Sequence, residues 1–418
     1  MAIKLTDIES LVARFGNKVV TEQANLETPF VGKGTISKMN HSGTVGIVNV
    51  KSGGIAATAF IADAGTLPTG DSKKPVQLAY HPKALFSRLT VPRISALTAI
   101  SKQDGVNIVK EQMETVGADL GRTLGRALFS SSLAVSTHQD AATSTVAYGT
   151  LQFAATPAAP LDTTGYRVGA RVDGFVDTSA GTALFCEVTA VDHTSGIVTM
   201  NVFTDSAMAT PYSAGNSIAD SGASSPTLRG AGTSGNSITS LLDLADSTVA
   251  QGTVTQAGNY SAASASATPE WKGSETAGGT LAISDLETQS RKLKRQSGRP
   301  WDVLVMNSTN LGRYSDLLTA NSRFDVQIQK TADGSPGSLA FQGKPIIVDE
   351  NMPDGDILFF TKADTKLAVW RDFKPDSDGK GASMVDSTNL TYDTQIFGLF
   401  NVRCTSRNGL GKVNAITG

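Results

Sequence analysis

The chain has 418 residues, of which 40% are hydrophobic and 18% charged, and its formal net charge is -2. Its length allows two or three domains with a sizeable core. Its near-neutral charge argues against a protein that a strong phosphate field holds on nucleic acid.

The two cysteines, Cys186 and Cys404, are far apart and show no metal-binding or disulfide spacing. We expect two buried, reduced thiols. The N-terminal sequence lacks the basic and apolar segments of a signal peptide. No apolar run reaches the roughly 18 residues of a membrane helix. These features predict a protein that is made and kept in the cytoplasm, without a membrane partner.

The N-terminal hundred residues predict an arm followed by a long two-stranded ribbon. A short helix is possible at Ile3–Phe15, and the polar stretch Thr28–Asn40 indicates an extended arm. Residues 44–100 favour strands that flank a tip rich in Gly and Pro. Because a two-stranded ribbon is only marginally stable alone, we expect it to lie on another surface.

Residues 104–130 predict one long helix. Apolar residues recur there at intervals of three and four, and Asp104 is a candidate N-cap. Three glycines, Gly117, Gly121 and Gly125, form a stripe that costs helix stability. The stripe indicates either close approach by a strand or a neighbouring subunit, or simply tolerated glycines.

The middle of the chain predicts an insertion between regular segments. Residues 131–164 indicate a linker, and residues 165–205 indicate three short strands of a small β-domain. The composition of residues 206–280 favours mobile surface, with one possible helix at Leu241–Ala250.

Regular structure returns at residue 281. Ser284 and Glu287 match a capping box, and Gly298 is the expected end of that helix. VLVM then predicts a buried strand, before another helix. In Phe341–Phe360, the apolar runs PIIV and ILFF flank an acidic turn and predict a hairpin, and the C-terminal residues alternate like a strand.

Catalytic and metal-binding motifs are absent from the sequence, which predicts neither an enzyme nor a cofactor. The four histidines show no ligand spacing, and no nucleophile elbow or phosphate loop is present. The acidic pairs Asp349/Glu350 and Asp354/Asp356 are interpreted as a solvated turn. The basic run RKLKR is interpreted as a helix C-terminal charge cluster rather than a DNA-binding patch.

This order of elements, closed by FQGKPIIVDENMPDGDILFF and a C-terminal strand, resembles the major capsid proteins of tailed bacteriophages, which have the Hong Kong 97-type fold. The resemblance rests on Phe341, Gly343, Pro345, Ile346 and Ile347, followed by Ile357, Leu358 and Phe359. It implies an α+β chain whose parts are an N-terminal arm (1–44), an E-loop (45–95), a P-domain spine helix (96–135), an inserted β-domain (163–206), an A-domain with flexible loops (207–330), P-domain return strands (331–385) and C-terminal A-domain strands (386–418).

The resemblance implies that the chain is a major capsid protein, which forms the hexamers and pentamers of an icosahedral head. The implied partners are further copies of the chain, a portal, a separate scaffolding protein or none, and enclosed double-stranded DNA bound without sequence specificity. The implied location is the virion, after assembly in the cytoplasm of a bacterial host. The candidate residues for contacts between subunits are Leu67, Lys73, Lys74, Gly117, Gly121, Gly125, Phe341, Pro345 and Pro353.

Two alternatives remain open from the sequence. An encapsulin-type bacterial compartment shares the fold, although such chains are usually shorter. A surface adhesin is suggested by the Ser, Thr and Gly content, and the missing signal peptide counts against it.

Overall fold

The structure is a computed structural model. It describes residues 28–32, 34–50, 76–92, 102–129, 150–154, 168–169, 171–177, 183–192, 197–205, 208–212, 218–220, 238–247, 272–320, 339–375, 384–386 and 391–417. The predicted helix at Ile3–Phe15 and the tip of the ribbon lie outside these residues.

The chain divides into two compact units. The first contains Met1–Gly125, Ile238–Asp349 and Gly355–Gly418, and the second contains Arg126–Ser237 and Glu350–Asp354. Strands dominate both units, and the chain is a mixed α+β protein, as the sequence predicts.

The described helices differ widely in length. They are α1 (Pro29–Gly32), α2 (Lys102–Phe129), α3 (Leu241–Ala245), α4 (Ile283–Ser297) and α5 (Ser308–Ala320), with a 3-10 turn at Arg407–Gly409.

The described strands form four sheets. They are β1 (Ser37–Asn40), β2 (Gly46–Val50), β3 (Val76–Tyr80), β4 (Lys83–Pro92), β5 (Thr150–Ala154), β6 (Arg171–Asp177), β7 (Ala183–Asp192), β8 (Ile197–Phe203), β9 (Ile218–Asp220), β10 (Ser274–Thr280), β11 (Val303–Met306), β12 (Ala340–Phe341), β13 (Lys344–Val348), β14 (Ile357–Phe360), β15 (Thr365–Pro375), β16 (Met384–Asp386), β17 (Thr391–Cys404) and β18 (Gly411–Thr417).

The largest sheet of the first unit has six strands in the order β10-β18-β14-β11-β13-β12. Its central strands β11 and β14 are buried along their whole length, which explains why their sequences are continuous apolar runs rather than alternating ones. Strands from the predicted A-domain segment and from Phe341–Phe360 therefore lie together in one sheet.

The predicted hairpin between PIIV and ILFF is wrong. Strand β11 lies between them, parallel to β13 and antiparallel to β14. The hairpin that does form joins β12 to β13 through Gln342 and Gly343, both of which have positive φ, as a tight two-residue turn requires. A fully apolar run signals a buried strand but carries no information about which strand lies beside it.

The core of this sheet is formed by apolar side chains from α4, α5 and the strands. Trp301 packs edge-on to Phe359, with ring centroids 5.2 Å apart, and stacks on Phe341 at 6.0 Å. The Trp301 indole donates to Ser290 Oγ at 3.0 Å, and Ser290 in turn donates to Gln342 Oε1 at 2.9 Å. The indole N–H is thus satisfied inside an apolar core.

The second sheet of this unit is organised around the long strand β17. It pairs antiparallel with β4, β15 and β16, and β15 also pairs parallel with β1. The strands β2 and β3 pair with each other, which confirms the predicted two-stranded ribbon for these residues. Residues 83–92, expected in the same ribbon, instead pair with β17.

The long helix is confirmed, but its predicted N-cap is wrong. α2 begins at Lys102, so that Asp104 lies inside the helix. The prediction failed because Asp104 precedes the first periodic apolar residue, whereas helices can begin a turn earlier on polar residues.

Helix α4 also begins differently from the prediction. Its N-cap is Ala282, whose backbone N–H donates to the Asp285 carboxylate at 3.3 Å. Ser284 and Glu287 lie inside the helix and do not form the expected capping box, because the S-x-x-E spacing is offset from the true start by two residues. The helix ends as predicted at Gly298, which has φ 67°.

The second unit contains a five-stranded antiparallel sheet in the order β5-β8-β7-β6-β9. Three of these strands match the predicted small β-domain at 165–205. β5 comes from the stretch interpreted as a linker, and β9 lies beyond residue 206. Cys186 and Val188 on β7 and Met200 and Val202 on β8 are buried.

Parts of the stretch 206–280 are built into the first unit rather than forming mobile surface. Leu241, Leu242 and Leu244 of α3 are buried, and β10 pairs with β18 along its length. Gly- and Thr-rich β10 sits at the edge of the sheet, where pairing requires backbone groups rather than large side chains. The prediction of mobile surface, which rested on composition, is therefore wrong for β10.

Candidate assembly surfaces

The base of the ribbon is fixed by an aromatic cluster, formed by His41, Tyr80 and Trp370. The Tyr80 ring stacks near His41, with centroids 5.8 Å apart, and lies 5.5 Å from Trp370. Trp370 Nε1 donates to the Gly43 carbonyl at 2.8 Å. Val48 of β2 is buried against this cluster. Burial raises the pKa of the Tyr80 phenol.

The ribbon itself presents apolar side chains to solvent. Ile47 of β2 is 60% exposed and Val45, just before β2, is 37% exposed, whereas Val48 is buried in a cluster with Tyr80 and Ala368. In the part of the chain that the structure describes, β2 and β3 pair only with each other. One face of the ribbon is therefore anchored and the other is open.

The exposed face of the β4–β17–β15 sheet carries an aromatic pair. Phe86, 60% exposed, stacks on its cross-strand partner Phe397 with centroids 5.0 Å apart. The Arg371 guanidinium lies 3.8 Å from the Phe397 ring centroid, a cation–π arrangement. On the opposite face, Ile396 and Phe400 are buried.

Asn401 of β17 connects three segments near the foot of the ribbon. Its Nδ2 donates to the His81 carbonyl at 2.6 Å. Its Oδ1 accepts from the backbone N–H of Thr239 at 3.1 Å and of Val402 at 2.8 Å. The side chain is fully buried, and both bonds to its Oδ1 are buried as well, so a group left without its partner there would be costly.

Arg407 closes the C-terminal end of α3. Its guanidinium donates to the carbonyls of Leu244 (2.8 Å), Asp243 (2.9 Å) and Asp246 (2.8 Å). The last carbonyls of a helix lack partners within it, and here that of Asp243 also accepts from the Asp246 N–H at 3.3 Å. Burial lowers the pKa of Arg407, and the side chain is held by backbone oxygens.

Lys412 of β18 is surrounded by carboxylates. Its Nζ lies 2.6 Å from Asp246 Oδ2 and 3.8 Å from Glu275 Oε2. Burial raises the pKa of the nearby Asp356 carboxyl to about 6, which Lys412 partly offsets. The predicted solvated turn is therefore wrong for Asp356. It is also wrong for Asp349, which is 1% exposed and accepts from the Phe30 backbone N–H at 3.1 Å.

The predicted contact residues fall in different environments. Gly117, Gly121 and Gly125 are buried on the apolar side of α2, along with Met113 and Leu120. Leu67, Lys73 and Lys74 lie outside the described residues.

The predicted contact residues within Phe341–Phe360 also differ from one another. Phe341 is 5% exposed, and its ring packs against Trp301, Tyr314 and Phe359 of the same chain. Pro345 is exposed, and Pro353 is half-buried.

Sequence reasoning missed Phe86 and Trp370 as features of these surfaces. Phe86 alternates with Arg88 in β4, which indicates a strand with one open face. The partner Phe397 is 311 positions away, and no local pattern could have joined the two. Trp370 follows the apolar run Leu367–Val369 in the sequence, which gave no sign that its indole N–H binds the loop before β2.

Two negative findings apply to the described ranges. Within them, His, Cys, Asp and Glu side chains do not gather into a group of three or more that could hold a metal ion. Also within them, no helix has the length and apolar character needed to cross a membrane.

No protein-family profile and no curated protein matches the chain. Among solved structures it is similar to the capsid of a native GTA particle, with a TM-score of 0.46 and 12% identity over 94% of this chain and 91% of that one. It is similar to the holo-SrpI encapsulin complex of Synechococcus elongatus PCC 7942, with a TM-score of 0.45 and 10% identity over 93% of this chain and 88% of that one. It is also similar to a structure of Mycobacterium phage Bobi, with a TM-score of 0.43 and 12% identity over 92% of this chain and 90% of that one.

The matched structures are of the class of protein that the sequence resembles. The matched structures include a capsid, an encapsulin complex and a phage. Because the TM-scores lie below 0.5, the function proposed next rests on the geometry of this chain.

Proposed function

We propose that the chain is the major capsid protein of a tailed double-stranded DNA phage, which assembles into the hexamers and pentamers of an icosahedral head. The observation that carries this proposal is the ribbon β2–β3. It is anchored at one end, and its outer face exposes Ile47 and Val45.

An isolated five-residue pair of strands is marginally stable in water. The ribbon therefore needs a second surface, and the aromatic cluster at its base holds it at a set angle to β15. A shell subunit requires this combination, because a projecting element must reach the neighbouring copy in one orientation for the assembly to close.

The exposed pair Phe86–Phe397 supplies an apolar surface on the same unit. Exposed aromatic side chains with an adjacent arginine are enriched at protein interfaces. We infer that this face is also covered in the assembled shell. Leu67, Lys73, Lys74, Pro345 and Pro353 remain proposed contacts, as does the glycine stripe of α2.

The finer assignments belong to the same proposal. The P-domain includes the spine helix α2, and the sheet of the second unit is an inserted domain. The chain has a structural rather than an enzymatic role, forms its shell in the bacterial cytoplasm and resides in the virion. Its partners are further copies, a portal, a separate scaffolding protein and enclosed DNA.

The proposal is tested by negative-stain electron microscopy of the protein expressed alone and with its genomic neighbours. We expect closed shells or capsomer rings. The contents of the shells separate the two shell functions, since packaged DNA indicates a phage head and a cargo enzyme indicates an encapsulin-type compartment. A protein that stayed monomeric with all its neighbours present would contradict both.

A matched pair of variants tests the role of the ribbon. Ile47→Gln removes apolar surface from the ribbon, and Val168→Gln does the same at a residue that is 67% exposed in the second unit. We expect shells to be lost or destabilised only by Ile47→Gln, with both variants still folded by circular dichroism. Equal assembly of the two variants would show that the outer face of the ribbon is not an assembly contact.

A further inference from the structure

Basic side chains converge at the C-terminal end of α4, on a surface called here the α4 basic face. It consists of Arg291, Lys294 and Arg295 on the helix, Arg299 just after it, and Lys362, and all five residues are exposed. The loop that carries Arg299 is held against the segment that contains Lys362, since the Lys362 backbone N–H donates to Asp302 Oδ2 at 2.9 Å.

The orientation of α4 is set by its opposite side. Leu286, Gln289 and Leu293 are buried against the six-stranded sheet. Arg291 and Arg295 are four residues apart and therefore lie one above the other on the outward side. At ~1.5 Å rise per residue, their Cα atoms are separated by about 6 Å along the axis.

These cations have little local compensation. Arg299 lies 3.4 Å from Asp364, with its side chain 58% exposed. Among the described residues, Arg291, Lys294, Arg295 and Lys362 form no ion pair with a carboxylate.

The helix dipole explains only part of this pattern. It favours cations in the last turn, where Lys294 and Arg295 stand. Arg291 lies before that turn, and Arg299 and Lys362 lie outside the helix. The interpretation of RKLKR as a helix C-terminal charge cluster therefore accounts for Lys294 and Arg295 only, and the other three cations are open to an anionic partner.

We propose that the α4 basic face binds the phosphate backbone of double-stranded DNA without sequence specificity. This inference rests on the proposed function for DNA as the polyanion that the protein meets. Duplex DNA carries one phosphate per strand about every 3.4 Å along its axis, so successive arginines on the face can each reach a separate phosphate. Arginine suits this contact because its planar guanidinium forms bidentate bonds to phosphate oxygens.

The face is suited to a duplex rather than to single-stranded nucleic acid. Single-strand binding requires exposed aromatic rings on which bases stack. Trp301, the aromatic residue next to this face in the sequence, is 4% exposed and fills the core. The near-neutral net charge of the chain is consistent with a local contact of this kind, which is weak for each subunit and repeated over many copies.

The test is fluorescence anisotropy of a labelled duplex of mixed sequence, titrated with the purified protein at several salt concentrations. The variant Arg291→Gln/Arg295→Gln is compared with Lys110→Gln/Lys374→Gln, which removes the same charge from exposed residues elsewhere. We expect the arginine variant to weaken binding about tenfold or more and to lower the salt slope by about two, since each phosphate contact contributes ~0.9. The lysine control should stay within about threefold of the unmodified protein.

Three outcomes would overturn the proposal. They are no binding by the unmodified protein, equal weakening by both variants, and poly-glutamate binding to the face that duplex DNA fails to displace, which would indicate an acidic protein partner instead. Electron microscopy of the same samples keeps the two proposals separate. Shells with unchanged DNA binding in the arginine variant refute this inference alone. DNA binding that the arginine variant weakens, by a protein that never assembles, refutes the shell function alone.

Discussion

The Tyr80 ring lies directly against Gly46, so that a Cβ built on Gly46 would come within 2.2 Å of Tyr80 Cζ. The same ring contacts Trp370 of β15. Gly46 is the cross-strand partner of Tyr80 at the base of the ribbon, and the absence of a side chain there lets the ring pack flat over the backbone. This contact links the ribbon to the second sheet.

Gly46→Ala should displace the Tyr80 ring from this cluster. We expect a loss of about 1–3 kcal/mol in the free energy of unfolding, as for other overpacked sites, together with defective shell assembly. Thermal unfolding and electron microscopy measure the two effects. Gly312→Ala is the control, since no atom lies within 4 Å of a Cβ at this position in α5 and alanine favours helices. It should be neutral or stabilising. An assembly-competent Gly46→Ala variant with unchanged stability would contradict this role for the Tyr80–Gly46 contact.

Arg407→Met should release the end of α3. The substitution preserves much of the apolar volume but removes the Arg407 donor from three carbonyls, of which that of Asp243 keeps the Asp246 N–H. We expect a cost of roughly 2–4 kcal/mol, since each buried acceptor left unsatisfied costs about 1–3 kcal/mol. Hydrogen exchange should quicken across residues 241–246. Arg299→Met, at an exposed position, should change stability by less than about 0.5 kcal/mol. Similar effects of the two substitutions would show that the hydrogen bonds of Arg407 do not stabilise the C-terminal end of α3.

Asn401→Asp should destabilise the foot of the ribbon in a pH-dependent way. A carboxylate can still accept from Thr239 and Val402, but it cannot donate to the His81 carbonyl, which is 2.6 Å from the present Nδ2. Protonation restores a donor, so we expect the buried acid to have a raised pKa. The variant should lose about 2–4 kcal/mol at neutral pH and less near pH 4. Melting curves at the two pH values test this, and a pH-independent loss would contradict it.

The sequence predicts strands and helices well where a hydrophobic pattern extends over many residues or where a glycine marks the end of an element. α2 follows from seven apolar residues at helical spacing, and the end of α4 follows from Gly298. The starts of both helices were misplaced, α2 because the polar residues before its first apolar one are helical and α4 because Ala282, without a side-chain cap, precedes its first residue Ile283. Asp285 rather than Glu287 closes the first turn of α4, a difference that spacing alone does not resolve.

The sequence did not reveal which strands pair with one another. PIIV and ILFF were expected to pair because they are neighbours along the chain, yet VLVM lies between them in the sheet. The aromatic pair Phe86–Phe397 and the Tyr80–Trp370 contact join residues separated by hundreds of positions, for which no local signal exists. The buried Asp349 and the half-buried Asp356 were misjudged for the same reason, since Phe30, which donates to Asp349, and Lys412, whose charge acts on Asp356, come from distant segments.

Asp356→Asn should stabilise the protein above pH 6. The folded-state pKa of Asp356 is raised from 3.8 to about 6, first of all by burial, so the folded chain binds more protons than the unfolded chain between these values. Stability therefore falls as pH rises from about 4 through 6, and the ionised carboxylate costs about 3 kcal/mol at higher pH, at ~1.4 kcal/mol per pKa unit.

Asparagine keeps the shape of this side chain and removes the titration. The melting temperature of Asp356→Asn should exceed that of the unmodified protein at pH 8 and match it near pH 4. Asp302→Asn, at a residue whose carboxylate accepts from the Lys362 backbone N–H, serves as a comparison in which asparagine should give no gain at pH 8. If Asp356→Asn lowered stability at pH 8, the attraction between Asp356 and Lys412 would outweigh the cost of burying the carboxylate.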